Sequence, residues 1–575
     1  MENPALAALF DEMADLLEID GANVFRVRAY RNAARIIQDQ SQSLRDLVIN
    51  QPDAVEELPG IGKDLAGKIG EMVQTGDFQS HRDLKAKFPP GLLDLLRLPG
   101  LGPKRVKQLY DELSVGSLDD LRAAIASGRV GTLRGFGDKS VQKLSEQLER
   151  IAGGALRMLL ADADRWVEGV VRHLRKGGSV TLEAAGSLRR RKETIGDLDI
   201  VVAADTAAAA KRAVRRFVEY PEVREILAQG DTKASVRLQG GPQVDLRVVK
   251  PDEWGAALCY FTGSKAHNIE LRRIAQDLGL KLSEYGLFKG ERRVAGHTEE
   301  EVYRKLGLRW IPPELREARA ELDQARRGQL PRLVEVSHIR GELHAHTDAT
   351  DGKASLKEMV DAARAAGYGY LAITDHSKRV TMALGLDAKR LRAQWQAIDA
   401  LNTALSGFRV LKGIELDILE TGKLDLPDDV LAEADYVVAS LHYGASQVGA
   451  DNTRRLVRAA RHRQVDAIAH PTGRLLNRRE PYPLDLDELL TACAGEGCML
   501  ELNGSPERMD LPDHVAAAAA DQGIKLVCAT DSHAVHHLTY MRYAVDIARR
   551  AGLTAEQVAN TRQLPDFLKL LKPGN

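Results

Sequence analysis

Ile339-Arg-Gly-Glu-Leu-His-Ala-His346 opens a run of short apolar strands that fills the C-terminal two-fifths of this 575-residue chain. Residues 339–344 read as a strand, and His344 and His346, two apart on extended backbone, point to one side. Further strands are expected at 370–374, 409–414, 436–441, 466–469, 499–502 and 525–529, mostly separated by helical segments. Seven strands with helices between them predict a distorted (βα)7 barrel, one unit short of the usual eight.

Metal-ligating residue types stand where these strands end. Asp351 follows the first, His376 the second, Glu415 the third, His442 the fourth and His470 the fifth, and Asp531 and His533 close the seventh. The sixth offers only Asn503, a poor ligand expected to support its neighbours. C-terminal strand ends of a parallel barrel converge on one face, so nine ligands there could hold two or three divalent ions. Imidazole mixed with carboxylate suits Mn²⁺, Zn²⁺ or Fe²⁺. A lone histidine is more often an ordinary residue, and His338, His462, His514, His536 and His537 fit no strand end. Eleven of the 15 histidines nevertheless lie at or beyond His338, which places separate chemistry in this part of the chain.

His344-Ala-His346, Thr374-Asp-His-Ser377, His470-Pro471 and Asp531-Ser-His533 resemble the polymerase and histidinol phosphatase (PHP) domain, over about 338–570. The resemblance implies a trinuclear metal site and active phosphoesterase chemistry. Bound metal would bring the pKa of water toward neutrality and stabilise charge on phosphoryl oxygens.

Upstream, Gly186-Ser-Leu-Arg-Arg190 precedes Gly196-Asp-Leu-Asp199, and Asp245 stands in Gln243-Val-Asp-Leu-Arg247. Asp197 and Asp199 are expected on one face of a strand, with Leu198 and Ile200 facing a core. Surface Asp pairs are common, so an Asp-x-Asp alone decides little. Three carboxylates on neighbouring strands can hold two Mg²⁺ (or Mn²⁺) for in-line phosphoryl transfer. Gly186 would let backbone approach a triphosphate, Ser187 would donate to it, and Arg190 would offer a fork to its oxygens.

With Tyr260-Phe-Thr-Gly-Ser264, Asn268 and Arg272, these motifs resemble the family X DNA polymerases, over about 1–315. The resemblance implies that Asp197, Asp199 and Asp245 bind the catalytic metals, and that Asp245 helps deprotonate the primer 3′-OH. It puts Gly186, Ser187, Arg190 and Gly263 about the nucleotide. Tyr260 and Phe261 would lie against the sugar, and Asn268 and Arg272 at the minor-groove side of the nascent pair.

Residues 1–150 read as helix broken by Gly-rich turns. Leu58-Pro-Gly-Ile-Gly-Lys63 and Leu98-Pro-Gly-Leu-Gly-Pro103 are near copies, with a looser third at 133–138. They resemble helix-hairpin-helix motifs, in which Gly60, Gly62, Gly100 and Gly102 would expose backbone N–H groups to a DNA phosphate. Lys68 matches the Schiff-base lysine of the DNA polymerase beta lyase domain, with Tyr30 and Arg31 retained but Arg26 replacing a lysine.

The boundaries follow from these readings. Residues 1–82 are a helical lyase-like domain, 83–152 a second helical DNA-binding domain, 153–250 the nucleotidyltransferase palm and 251–315 the thumb. A charged linker at 316–337 leads to the PHP domain at 338–575. A net charge of −1 argues weakly against a dedicated nucleic-acid binder, although Leu188-Arg-Arg-Arg-Lys192 is a dense basic cluster, and no apolar run is long enough to span a bilayer. Four cysteines without a CxxC pair and no recognisable leader make the bacterial cytoplasm, with nucleoid association during repair, the expected location. The expected function is gap-filling DNA synthesis on gapped or nicked DNA with dNTPs, by a monomer. A second, metal-dependent 3′–5′ exonuclease is expected, with 3′-end cleaning or abasic-site cleavage as related tasks. The alternatives are a small-molecule phosphatase at the barrel, or a DNA end-binding scaffold that uses neither site.

Overall fold

The computed structural model describes residues 3–38, 40, 44–58, 60–89, 91–96, 98, 101–152, 157–176, 181–239, 241–445 and 449–572. The chain forms two compact units, Met1–Leu306 and Gly307–Asn575.

The first unit begins with helices, Asn3–Ile19 and Val24–Gln38 foremost, packed round Phe10, Tyr30 and Phe78. Phe10 meets Tyr30 at 5.6 Å and Phe78 at 5.5 Å between ring centroids. A second apolar cluster built on Leu95, Leu101, Val106, Leu109 and Phe136 supports the helices that follow. Gly60, at φ +87°, sits so close to Ile36 that a Cβ would approach its side chain to 2.6 Å. Gly62 then caps the helix Lys63–Thr75, and Gly102 caps Pro103–Leu113 in the same manner. Gly100 lies outside the described residues.

The segment expected as the palm holds a five-stranded sheet ordered Leu182–Ala184, Leu198–Ala203, Gln243–Val249, Lys233–Leu238, Val223–Gln229. Only the pairing of Leu198–Ala203 with Gln243–Val249 is parallel, and its register sets Asp199 opposite Asp245. Alternation buries Leu198 and Ile200 fully while Asp199 faces the other way. One expectation is corrected. Asp197 does not share the strand with Asp199, because Gly196-Asp197 form a bend and pairing begins only at Leu198. Helix Trp254–Thr262 passes close to Thr298 at Gly255, where a Cβ would lie 2.0 Å from the Thr298 backbone. Near its end Phe261 packs against Ala185, Val201, Ala257 and Leu258.

The second unit is a parallel sheet of seven strands in sequential order: Gly341–Ala345, Tyr370–Ile373, Arg409–Asp417, Tyr436–Ser440, Ala467–Ile468, Met499–Asn503 and Leu526–Ala529. A helix follows each strand. First and last strands meet through irregular bonds, with His346 N–H donating to Ser532 O at 2.8 Å and Ser532 N–H to His344 O at 3.1 Å. Asn560 closes the other end, donating to Gly341 O and Cys528 O at 2.8 and 2.7 Å. Within the barrel Leu343, Tyr370, Tyr436 and Phe567 share one buried cluster. The stretch expected as a linker is folded onto this unit. Arg316 is fully buried, and Glu314 and Glu317 pair with Arg549 and Arg550 at 2.7 and 3.1 Å.

Candidate active sites

The barrel strands bring all nine predicted ligands to one end. Three groups of side chains present ligand atoms within 4.8 Å of one another: His346, Asp351, His376 and His533; His344, His346 and Asp531; and His376, Glu415 and His442. His470 joins them through Nε2, 2.9 Å from Glu415. A cavity of about 460 Å³ opens over these groups.

Electrostatics show how tightly the site is packed. Against burial, Glu415 and Asp351 push the His376 imidazole up to about 10. Burial, with His533 and His376 alongside, holds His346 down at about 4. Burial would raise Glu415, but His442, His376 and His344 keep it well below the carboxylate range, and His344 does the same for Asp531. Nε2 of His344 and both ring nitrogens of His346 are buried without a well-formed hydrogen bond. Buried nitrogens left so, among carboxylates, match what divalent ions require. The residues present therefore fit a metal cluster.

Three buried carboxylates orient these ligands, and sequence reading did not single them out. Glu501, on the sixth strand, lies 2.6 Å from His344 Nδ1 and accepts from the His470 backbone N–H at 2.6 Å. It thereby turns His344 Nε2 toward the cavity. Asn503, expected to support the site, donates to Glu501 at 3.1 Å and to Asp531 at 3.3 Å. Asp417 accepts from the His442 backbone N–H at 3.0 Å. Asp375 gathers Thr347, Thr350 and Gln394, fixing the loop that carries Asp351. Such outer partners commonly set metal affinity within a factor of roughly 10–100. The signal available in sequence was a carboxylate inside an apolar strand, Met499-Leu-Glu-Leu-Asn503.

In the palm, Asp199 and Asp245 lie side by side and Asp197 stands close enough to repel both. Ser235 and Gln243 donate to Asp245, the latter at 3.1 Å. Burial, with Asp197 and Asp245 alongside, pushes Asp199 up to about 7 against the pull of Arg247 and Arg190. Crowded carboxylates with so little countercharge fit divalent cations. Gly186, at φ +61°, touches this cluster: a Cβ would lie 2.4 Å from Asp199 Oδ2. Ser187 follows it in the short helix Gly186–Arg189. Arg190 donates to the Thr262 carbonyl and lies against Gly263. Tyr260 is 39 % exposed and meets Phe261 edge-on, with Arg247 over the Phe261 ring at 5.5 Å. Asn268 donates to the Tyr260 carbonyl at 2.7 Å, and Arg272 to Asn268 O at 3.2 Å.

The raised Asp199 has a pH consequence. A proton competes with a divalent ion there until pH rises through about 7. Apparent Mg²⁺ affinity is expected to climb about tenfold per pH unit below that point and to level above it, as one displaced proton requires. Calorimetric Mg²⁺ titration at pH 6, 7 and 8 checks this, and equal affinities at pH 6 and 8 would refute it. Without metal the sign reverses for stability. Between the ordinary aspartate value of 3.8 and about 7 the folded state keeps a proton that the unfolded chain releases, so stability falls as pH rises.

At the helical end, Lys68 pairs with Asp64 and sits 5.5 Å over the Tyr30 ring. Arg31 turns inward to Asp11 and Asp15. Arg26 is exposed.

Comparison with known proteins agrees with this layout. Family models match as a helix-hairpin-helix domain at 1–78, a SAM-like helix-hairpin-helix tandem at 92–150, the DNA polymerase beta thumb at 257–317 and a PHP domain at 342–505. The chain belongs to the family X DNA polymerases that carry a C-terminal PHP domain. It is 38% identical over 578 residues to the DNA polymerase/3′-5′ exonuclease PolX of Bacillus subtilis, covering 100% of both chains. Barrel-only relatives include probable phosphatases of Thermoanaerobacter sp. and Acetivibrio thermocellus. Each is 28% identical over 40% of this chain, covering 94% and 95% of the relative. Among the described residues no helix is long and apolar enough to cross a membrane.

Proposed function

We propose that this protein is a DNA polymerase that fills short gaps at its palm, and a metal-dependent 3′–5′ exonuclease at its barrel. The observation that carries this is the completeness of both sites in one chain. Two carboxylates meet in register on the palm with a third beside them, and nine candidate ligand side chains converge at one end of the barrel.

At the palm, Asp197, Asp199 and Asp245 would hold Mg²⁺ or Mn²⁺, which stabilises charge on phosphoryl oxygens when bound. Asp245, steadied by Ser235 and Gln243, is placed to take the proton of a primer 3′-OH. Gly186 leaves room for triphosphate beside Asp199, while Ser187 and Arg190 donate to it. Gly263 gives Arg190 the space to do so. Tyr260 and Phe261 flank the incoming sugar, and Asn268 and Arg272 face the minor-groove edge of the new pair. Gly62 and Gly102 cap helices whose N-termini, with Gly60 in the turn before the first, would receive DNA phosphates without reading sequence.

At the barrel, His344, His346, Asp351, His376, Glu415, His442, His470, Asp531 and His533 would hold two or three ions, with Mn²⁺ the first to test. When bound, such ions would supply an activated water and neutralise phosphate charge. The chain's part is to fix the ligand atoms, through Glu501, Asp417 and Asp375, and to present phosphate in the cavity. The barrel-only relatives named probable phosphatases keep a small phosphate monoester as a second reading of this site.

The test uses a 5′-labelled primer on a one-nucleotide gap. With Mg²⁺ and dNTPs the primer should lengthen by one. With Mn²⁺ and no dNTP it should shorten from the 3′ end. A protein that binds the gap but does neither would be a scaffold.

A further inference from the structure

The cavity over the barrel ligands is not polar throughout. The loop after the second strand contributes Val380, Met382 and Ala383 to its wall, and the loop after the sixth contributes Arg508. Counted round the closed ring, these strands stand three and four places apart, so their loops reach the site from widely separated directions. Met382 is 91% exposed and its neighbour Leu384 is 65% exposed. Leu384 also has φ +57°, a left-handed conformation that a branched side chain rarely adopts.

Nothing about this loop is loosely held. Leu386 N–H donates to His376 O at 2.8 Å, and Arg379 N–H to Asp425 at 2.7 Å. Arg390 donates to the Leu384 carbonyl at 2.7 Å and to Ala349 O at 2.8 Å. Gly385 presses so near Ser377 that a Cβ would meet its carbonyl at 2.0 Å. The loop thus shows two large apolar side chains to solvent, Met382 on the cavity wall and Leu384 two residues on.

Among the described residues Arg508 is the one arginine or lysine lining the cavity. Its Nε lies 3.5 Å from Asp531, and Arg474 holds its carbonyl from behind at 3.0 Å. The rest of the guanidinium fork has no partner among the described residues, and such a fork matches the oxygens of a phosphate.

We propose that Met382 and Leu384 form a shelf for the base of the 3′-terminal nucleotide of a DNA strand, with Arg508 gripping the adjoining phosphate. This rests on the reading of the barrel as a DNA 3′-end phosphoesterase and makes the base part of what the site recognises. A phosphate ester without a base has no use for the shelf. Apolar side chains, methionine and leucine among them, are suited to lie against an unstacked base.

Two 5′-labelled single strands that differ only at the 3′ end provide the test, one ending in deoxyadenosine and the other in a tetrahydrofuran unit lacking the base. Wild-type protein with Mn²⁺ should cleave the first with a kcat/KM roughly tenfold higher, the fold-change that covering one face of a base with apolar side chains supports. In Met382→Ser/Leu384→Ser the ratio should fall to near one, mainly through KM, with metal content unchanged by elemental analysis. Arg508→Lys should slow both substrates alike. With Mn²⁺ present and a 3′ linkage that resists hydrolysis, a 3′-terminal 2-aminopurine should brighten on binding wild type, as its base leaves the neighbouring base for the shelf, and less so on binding the serine variant. The shelf is refuted if wild type cleaves both strands equally well, or if the serine variant keeps the preference. Failure to cleave either strand, with p-nitrophenyl phosphate still hydrolysed, removes the 3′-end reading and the shelf together.

Discussion

Replacing Asp197 and Asp199 with alanine is expected to abolish primer extension while leaving 3′ shortening in place. Both carboxylates stand beside Asp245, and burial with mutual repulsion lifts Asp199 to about 7. A site that crowded exists to be neutralised. Removing two carboxylates withdraws most of the countercharge for a divalent ion, whose Lewis-acid contribution amounts to several kcal/mol. At about 1.36 kcal/mol per decade, extension should fall roughly a thousandfold or more. The fold should survive, since Asp197 lies exposed in a bend and Leu198 and Ile200 keep their burial. Single-turnover extension on gapped DNA measures the loss. Extension within tenfold of wild type would move the catalytic centre elsewhere.

His344→Ala/His346→Ala should do the reverse. These side chains belong to two of the three ligand groups, and His346 to both of those two. Their loss leaves Glu415, Asp531 and Glu501 buried with fewer positive partners, so metal content should drop along with cleavage. Shortening is expected to fall about a thousandfold on the same arithmetic, with extension kept. Elemental analysis and a 3′-labelled nuclease assay report the two effects separately. If either double variant lost both activities while folded, the two reactions could not belong to separate sites.

Much of this arrangement is legible in the sequence, for a physical reason. A ligand at a strand end carries its own signature, because apolar alternation stops and a histidine or aspartate begins. All seven barrel strands follow from that transition, as does the gathering of nine candidate ligands at one end of the barrel; in the palm the same reading carries Asp199 but puts Asp197 on a strand that begins only at Leu198. The carboxylates that orient ligands lack such a signature. Glu501 sits within a strand and acts on His344, 157 residues away, a pairing that exists only once the barrel closes. Asp375 hides inside Thr374-Asp-His-Ser377 because His376 draws the reading to itself. The proline-bounded, charged segment near 316 has the composition of a linker. Its ion pairs to Arg549 and Arg550 lie more than 230 positions off in the chain. Met382 and Leu384 are apolar residues in an apolar context, and only their exposure distinguishes them.

The meeting of the first and last barrel strands has a further consequence. His344 and His346 come from one side of that seam and Asp531 and His533 from the other, and each pair is bonded to its opposite through Ser532. An ion held by both sides would therefore be a clasp as well as a reagent. Its binding free energy would count toward closing the ring, making folding and loading of the barrel one linked equilibrium. Starvation for metal would then unfasten the nuclease half as well as silence it, and the heat resistance of this unit should track the ion supply of the cell.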